Sequence, residues 1–517
     1  MLLGGISGQL SVFLCFLQEN YFVKERIPVK RGLNRVPVKR GLNRVPVKRG
    51  LNRAPLKGVL NRVPQCPGTE QSPPQASTEK NPTKHFDGIS YNHMEIALKI
   101  KALKGFKDIV PGEVLLWQYL ERVARDVFDR FHFREIRLPI LEETELFARS
   151  IGEATDIVEK EMYTFVDKQV TMRPEATASM VRAYIEHGLY VEKPVQRLFT
   201  IGPMFRHERP QKGRLRQFHQ MDVEVLGSEN PRVDVELIAM GAMLLDELGM
   251  QVSLELNSLG CPACRPGYRA ELISYIDKRH DLLCSDCKRR STTNPLRVLD
   301  CKVPSCREQI VDAPSILEYL CDQCKDHFGK VQAGLEQLGV PYRLNKFMVR
   351  GLDYYCRTTF EFITADLGSQ AAVAAGGRYD GLVEILGGPK NSPGIGFAIG
   401  MERLVLLLQQ QQAVIPEDEV DLYIAGIGEQ GSRKGFELAN AMRARKFSVA
   451  MDHEGRSLKS QMKQANKAGA RFVFIIGDAE LESGKGILRN MLGNEEQQEV
   501  LLSAAALADA LPESLVS

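Results

Sequence analysis

The stretch FRHERPQKGRLRQFHQ, residues 205 to 220, holds four arginines, one lysine and two histidines against a single acid, Glu208. Guanidinium forks at this density suit the binding of several phosphate oxygens at once. Its two flanks, RLFTIGPMFRHE and LRQFHQMDVEV, read as antiparallel strands around the Pro- and Gly-containing loop RPQKGR, which brings Arg206 and Arg214 to one site. Alternation along RQFHQMDVE then puts Phe218, Gln220, Asp222 and Glu224 on one face. An aromatic ring among polar groups can stack a base, so a nucleotide suits this surface.

Further stretches carry complementary chemistry. In TMRPEATASMVRAYIEHG, Glu175 follows a proline-set turn and precedes a helix, where its carboxylate can bind an ammonium group or simply favour the helix dipole. VRGLDYYCRTTFEF offers Arg350, Tyr354 and Tyr355 at the start of a strand, and AAGGRYDGL reads as a diglycine turn carrying Arg378 and Tyr379. SPGIGFAIGMERL runs Gly394, Gly396 and Gly400 into a helix with Arg403 in its first turn, a place where backbone can approach a phosphate closely. Its spacing is not that of a dinucleotide fingerprint.

Eight of the eleven cysteines crowd into residues 261 to 324: Cys261 and Cys264, Cys284 and Cys287, Cys301 and Cys306, Cys321 and Cys324. Three C-x-x-C pairs and one wider pair give the right number of thiolates for two closed tetrahedral zinc sites, with reduced thiols as the alternative.

The elements that must position these residues begin near residue 95. PGEVLLWQYLERVARDVFDRF has helical period, and FREIRLPI alternates as a strand up to Pro139. Strands are expected in QRLFTIGPMFRHE, RQFHQMDVEVLG, SLELNSLG, TFEFITAD and GIGFAIG, and helices in TELFARSI, TASMVRAYIEHG and ERLVLLLQQ. Consecutive strands without intervening helices predict a largely antiparallel sheet in an α+β domain. After QQQAVIPEDEV at 410 to 420, strands DLYIAGI, FSVAM and RFVFIIGD alternate with helices, as in a small α/β domain with a parallel sheet.

At 517 residues and 44% hydrophobic content the chain is long enough for two or three domains. The apolar run LSVFLCFL at 10 to 17 is too short to span a bilayer and lacks the flanks of a signal peptide, so a cytoplasmic protein is expected. Residues 1 to 93 hold fifteen Lys or Arg against five Asp or Glu, although the whole chain carries only +3. Within them, residues 26 to 61 repeat a nine-residue unit, RVPVKRGLN and its variants, with a proline and a glycine in each. Such units forbid a regular helix and supply too little apolar surface for a stacked core, so disorder is expected. A basic nucleic-acid-binding arm is one reading; a duplicated tract or a start placed too early, with Met94 as the true one, is the other.

Taken together the motifs resemble the histidyl-tRNA synthetases, class II aminoacyl-tRNA synthetases, across residues 97 to 517. FREIRLPILE looks like motif 1, FRHERPQKGRLRQFHQ like motif 2 and GIGFAIGMERL like motif 3, while RGLDYY and AAGGRYDGL look like the two histidine-specific signatures. The resemblance implies a catalytic domain over 94–415 with a six-stranded antiparallel sheet, interrupted by a Cys-rich helical insertion at about 228–340, and an anticodon-binding domain over 420–517. It also implies a homodimer built partly through motif 1, with ATP, Mg²⁺, histidine and tRNA(His) as partners and no membrane.

By the same resemblance Arg206 would contact the α-phosphate, Arg214 and Arg403 the outer phosphates, and Phe218 the adenine. Arg350 would hold the α-phosphate and the histidine carboxylate. Glu175, Thr177 and Gln220 would receive the α-ammonium, Glu224 and Tyr355 the imidazole nitrogens, Tyr354 and Tyr379 would shape the pocket, and Ala176 would also contact the histidine. Arg209 and Gln211 would meet the acceptor end of the tRNA. Well-known bacterial members lack the cysteine cluster, so the reaction does not require it. The rival within the same fold is a non-catalytic paralogue regulating histidine biosynthesis, which typically loses the anticodon-binding domain and the motif arginines; this chain keeps both.

Overall fold

Along Gln217–Leu226 the odd residues Met221, Val223 and Val225 are apolar and buried in the largest core, while Asp222 and Glu224 point to the opposite face. This strict period of two lets one strand serve a hydrophobic core and a polar pocket at once. The computed structural model describes residues 100–512, apart from 153–154, 156, 369–371, 413–419, 492 and 494–496. The basic repeats and most of the segment at 410 to 420 lie outside the described residues.

The main sheet has eight strands. Six of them are antiparallel in the order Gln196–Phe205, Gln217–Leu226, Gly394–Gly400, Ala372–Arg378, Cys356–Ile363 and Ser253–Ser258. A short parallel strand is added at each edge, Arg134–Glu135 beside the first and Tyr342–Leu344 beside the last. The α+β expectation with a six-stranded antiparallel sheet therefore holds, with one extra parallel strand at each side. The strand expected through FREIRLPI shrinks to two residues. Beyond it the carbonyls of Leu138 and Pro139 accept from the buried guanidinium of Arg173, so that backbone is bonded to a side chain rather than to a strand ladder.

One face of the sheet is covered by helices Glu113–Arg130, Pro231–Glu247 and Met401–Gln410. The first buries Leu116, Leu120, Ala124, Val127 and Phe128 at helical spacing. The second starts on a proline, with the Asn230 side chain accepting from the Arg232 N–H at 3.0 Å. From this helix Asp234 pairs with Arg378 at 2.6 Å, and both side chains are fully buried. His327 and Thr358 also bond Asp234, at 2.8 and 2.7 Å, so the buried carboxylate is fully paired and its pKa is held low despite burial.

AAGGRYDGL is not a turn. It forms the strand Ala372–Arg378 in the middle of the sheet, and its two glycines are set by crowding. A Cβ on Gly376 would lie 2.3 Å from the Gly396 carbonyl oxygen, and one on Gly377 would lie 2.7 Å from that of Thr358. The turn signal was misread because glycine marks close backbone approach as well as bends.

The C-terminal part forms its own five-stranded sheet in the order Val449–Met451, Leu422–Gly426, Phe472–Ile476, Lys485–Asn490, Gln497–Leu501. The first three strands are parallel and joined through helices Gly428–Arg443 and Leu458–Lys467, as the sequence pattern indicates. The last two are antiparallel additions that strand–helix alternation does not announce.

Candidate active site

Three carboxylates converge below the polar face of the sheet. Glu175, Asp222 and Glu224 are all within 4% of complete burial. Glu175 closes the start of helix Thr177–Glu186, accepting from the N–H groups of Thr177 and Ala178 at 2.9 and 3.0 Å, and Ala176 lies fully buried between them. The helix-capping reading of this acid is thus correct in itself, yet the same carboxylate also accepts from the Tyr354 hydroxyl at 3.4 Å. Glu224 accepts from the Thr177 hydroxyl at 2.6 Å and from the Tyr379 hydroxyl. Tyr354 lies 4.7 Å from Tyr355 and 5.7 Å from Tyr379, ring to ring, so the tyrosines wall the pocket.

Burial sets the electrostatics here. It raises the Glu224 carboxyl to about 8 against the bonds from Thr177 and Tyr379. Burial and the neighbouring Glu175 raise Asp222 to about 8 against Arg173 and Arg206. Burial also raises Glu175. A site with this much buried acid favours a cationic, hydrogen-bonding ligand.

Arginines gather at the other end. Arg206 donates from Nε to the Pro174 carbonyl at 2.8 Å and lies 5.3 Å over the Phe218 ring. Glu208 is paired with Arg214 and lies 4.0 Å from Arg206. Burial lowers the Arg403 pKa, and the nearby Arg214 lowers it further. A buried guanidinium set beside two others, Arg214 and Arg206, calls for an anion. Arg350 donates to Glu361 at 2.6 Å and lies 5.0 Å over the Tyr355 ring, which carries the arginine end into the tyrosine end. The buried Gln220 Oε1, Asp222 Oδ2 and Arg350 Nε have no hydrogen-bond partner among the described residues. Native proteins pair most such atoms, so these three are candidates for bonding a ligand.

Two glycines expected to approach a phosphate do something else. A Cβ on Gly396 would fall 1.5 Å from the Glu224 carboxylate, and one on Gly394 would fall 2.2 Å from the Tyr379 ring. They make room for the pocket's own side chains. Arg209 and Gln211 stand exposed at the tip of the long hairpin, which a Gln211–Arg214 bridge closes.

Four residues were missed as site residues. Glu208 organises the arginines, and Glu361 holds Arg350. Glu402 accepts from the His219 N–H at 2.9 Å and its ring at 3.0 Å, fixing the Arg403 helix against the Phe218 strand. Alternation puts Asp222 on the correct face but assigns it no role.

The cysteines form two groups, one nested in sequence inside the other. Cys261 and Cys264 meet Cys321 and Cys324, and Cys284 and Cys287 meet Cys301 and Cys306, with the four Sγ atoms of each group within 4.8 Å of one another. All eight are free thiols.

A family model described as Histidyl-tRNA synthetase matches residues 105–262 and 290–404, and one described as Anticodon binding domain matches 421–513. The chain is 66% identical over 414 residues to the histidine--tRNA ligase of Desulfotalea psychrophila, covering 80% of this chain and 96% of the relative. It is 53% identical over 418 residues to that of Trichlorobacter lovleyi, covering 80% and 99%. Among solved structures, apo S. aureus histidyl-tRNA synthetase superposes with a TM-score of 0.67 at 37% identity, over 80% of this chain and 99% of that one. A pocket that joins buried acids to clustered arginines on an antiparallel sheet, together with these matches, leads to one conclusion: the chain belongs to the histidyl-tRNA synthetase family.

Proposed function

We propose that this chain activates histidine with ATP and transfers it to the 3′ end of tRNA(His). A histidine carboxylate oxygen attacks the α-phosphorus, the bond to pyrophosphate breaks, and the terminal ribose of the tRNA then takes the histidyl group and releases AMP. The observation that carries the reading is the set of unpaired buried atoms, Gln220 Oε1, Asp222 Oδ2 and Arg350 Nε, in a pocket with carboxylates at one end and arginines at the other.

Charge placement does the catalytic work, since this phosphoryl chemistry needs positioning more than a nucleophilic side chain. Arg206 and Arg350 would hold the α-phosphate from two sides, Arg214 and Arg403 the outer phosphates, and Phe218 the adenine. Glu175, Asp222, Thr177 and Gln220 would receive the ammonium, and Glu224 and Tyr355 the imidazole, in a pocket closed by Ala176, Tyr354 and Tyr379. Glu361, half-buried beside Arg350, would be an oxygen donor for Mg²⁺, which would offset triphosphate charge when bound with ATP.

The exposed hairpin tip with Arg209 and Gln211 would meet the acceptor end, and residues 421–513 the anticodon. Ile140 and Leu141, exposed in the motif 1 segment, support a homodimer through that face. No helix among the described residues is long and apolar enough to cross a membrane. Each four-cysteine group would hold one structural zinc ion. Charging of tRNA with labelled histidine tests the reading: ATP- and Mg²⁺-dependent product is expected, and its absence with intact tRNA(His) overturns it.

A further inference from the structure

We infer that the cysteine-rich segment is a two-zinc module that clamps the RGLDYY loop and thereby sets the affinity for histidine. The inference rests on the reading of Arg350 and Tyr355 as histidine contacts.

The thiols fit the metal. Four sulfurs about 2.3 Å from one zinc ion stand about 3.8 Å apart. Cys261 Sγ lies 3.6 Å from Cys264 and 3.9 Å from Cys321, and Cys284 lies 3.9 Å from Cys301. A disulfide would need about 2.05 Å. Backbone N–H groups of Cys284 and Cys321 donate to Cys306 and Cys264 at 3.0 and 3.2 Å, the kind of outer contact that orients a metal thiolate. The family match breaks between 262 and 290, so three of these cysteines lie where the shared fold makes no demand.

The module and the loop meet residue by residue. The module grips the segment at four points: Phe347 and Val349 pack against its core, the Gly351 carbonyl accepts from Arg297 at 2.9 Å, and Asp353 accepts from Asn294 at 3.2 Å. The Tyr355 carbonyl accepts from Arg265. Within the same segment Arg350 points to Glu361 and Tyr354 to Glu175, on the pocket side. Each thiol group anchors one end. Arg265 follows Cys264 directly, and Asn294 and Arg297 lie between Cys287 and Cys301. The module's core is small and built around cysteines themselves, so metal would supply much of its order.

Metal analysis of the full chain, purified under reducing conditions without chelator, is the first test. About two zinc ions per chain are expected; about one or none overturns the module. Equilibrium dialysis with labelled histidine is the second, on the holoprotein, Cys287→Ser and Arg297→Ala. Arg297→Ala should keep both zinc ions yet bind histidine about 5- to 10-fold more weakly, with Arg297→Lys restoring much of the loss. Cys287→Ser should lose one zinc ion and weaken histidine more. Because Cys287→Ser can unfold the module outright, the decision falls on Arg297→Ala: full zinc with unchanged histidine affinity overturns the clamp. Histidine-dependent pyrophosphate exchange by the untreated holoprotein tests the underlying reading separately; its absence would be a failure of that reading and not of the module.

Discussion

Glu224 joins the proposed histidine pocket to the stability of the fold. Its carboxyl, like that of Asp222, is held near 8, above the unfolded value, so the folded state binds more protons through the intervening range. Stability should therefore be fully present below the unfolded pKa and decline as pH rises toward about 8. In Glu224→Gln the decline should be shallower, measured as melting temperature from pH 5 to pH 9, while histidine activation falls at least about 100-fold because a polar contact to the ring is lost. An equally steep decline in the variant would remove Glu224 from the titration. Arg350→Ala should slow adenylate formation by orders of magnitude in single-turnover assays and leave tRNA binding intact. Near-normal activation would remove its assigned role. At this scale residue type and spacing were informative: alternation sorted Gln220, Asp222 and Glu224 onto one face, and the structure gathers the arginines of three separate segments. What sequence could not indicate is pairing. Nothing local marks Glu208, Glu361 or Glu402, because each acts on a partner brought near by the sheet.

The strands are held by glycines as much as by apolar residues. Gly376 sits where strands Ala372–Arg378 and Gly394–Gly400 approach so closely that a methyl group would strike the Gly396 carbonyl. Gly376→Ala should thus destabilise the protein by about 1–3 kcal/mol or more, read as a lower denaturation midpoint, because both neighbours are backbone or packed ring and cannot yield cheaply. An unchanged midpoint would contradict the crowding. Strongly periodic elements such as Glu113–Arg130 and Gln217–Leu226 were legible from pattern alone. The central diglycine strand was not, since glycine carries no side-chain period. The motif 1 strand was overread because its alternation continues past the two residues that pair.

Across the whole molecule, the pocket residues lie between Arg173 and Arg403, and the relatives in Desulfotalea and Trichlorobacter align over 80% of this chain while being covered almost completely themselves. Removal of residues 1–93 should accordingly leave histidine charging kinetics unchanged, and a large loss would give the basic repeats a part in the enzyme. The α+β class and the change to an α/β pattern near the C-terminus were readable from element order, whereas the antiparallel pair Lys485–Asn490 and Gln497–Leu501 was not, because a hairpin appended to a parallel sheet breaks the alternation that announces the rest. The most direct test of the central claim is pyrophosphate exchange by the full chain with each amino acid in turn. Exchange with histidine alone is predicted; exchange with none, or with another amino acid in its place, would contradict the account.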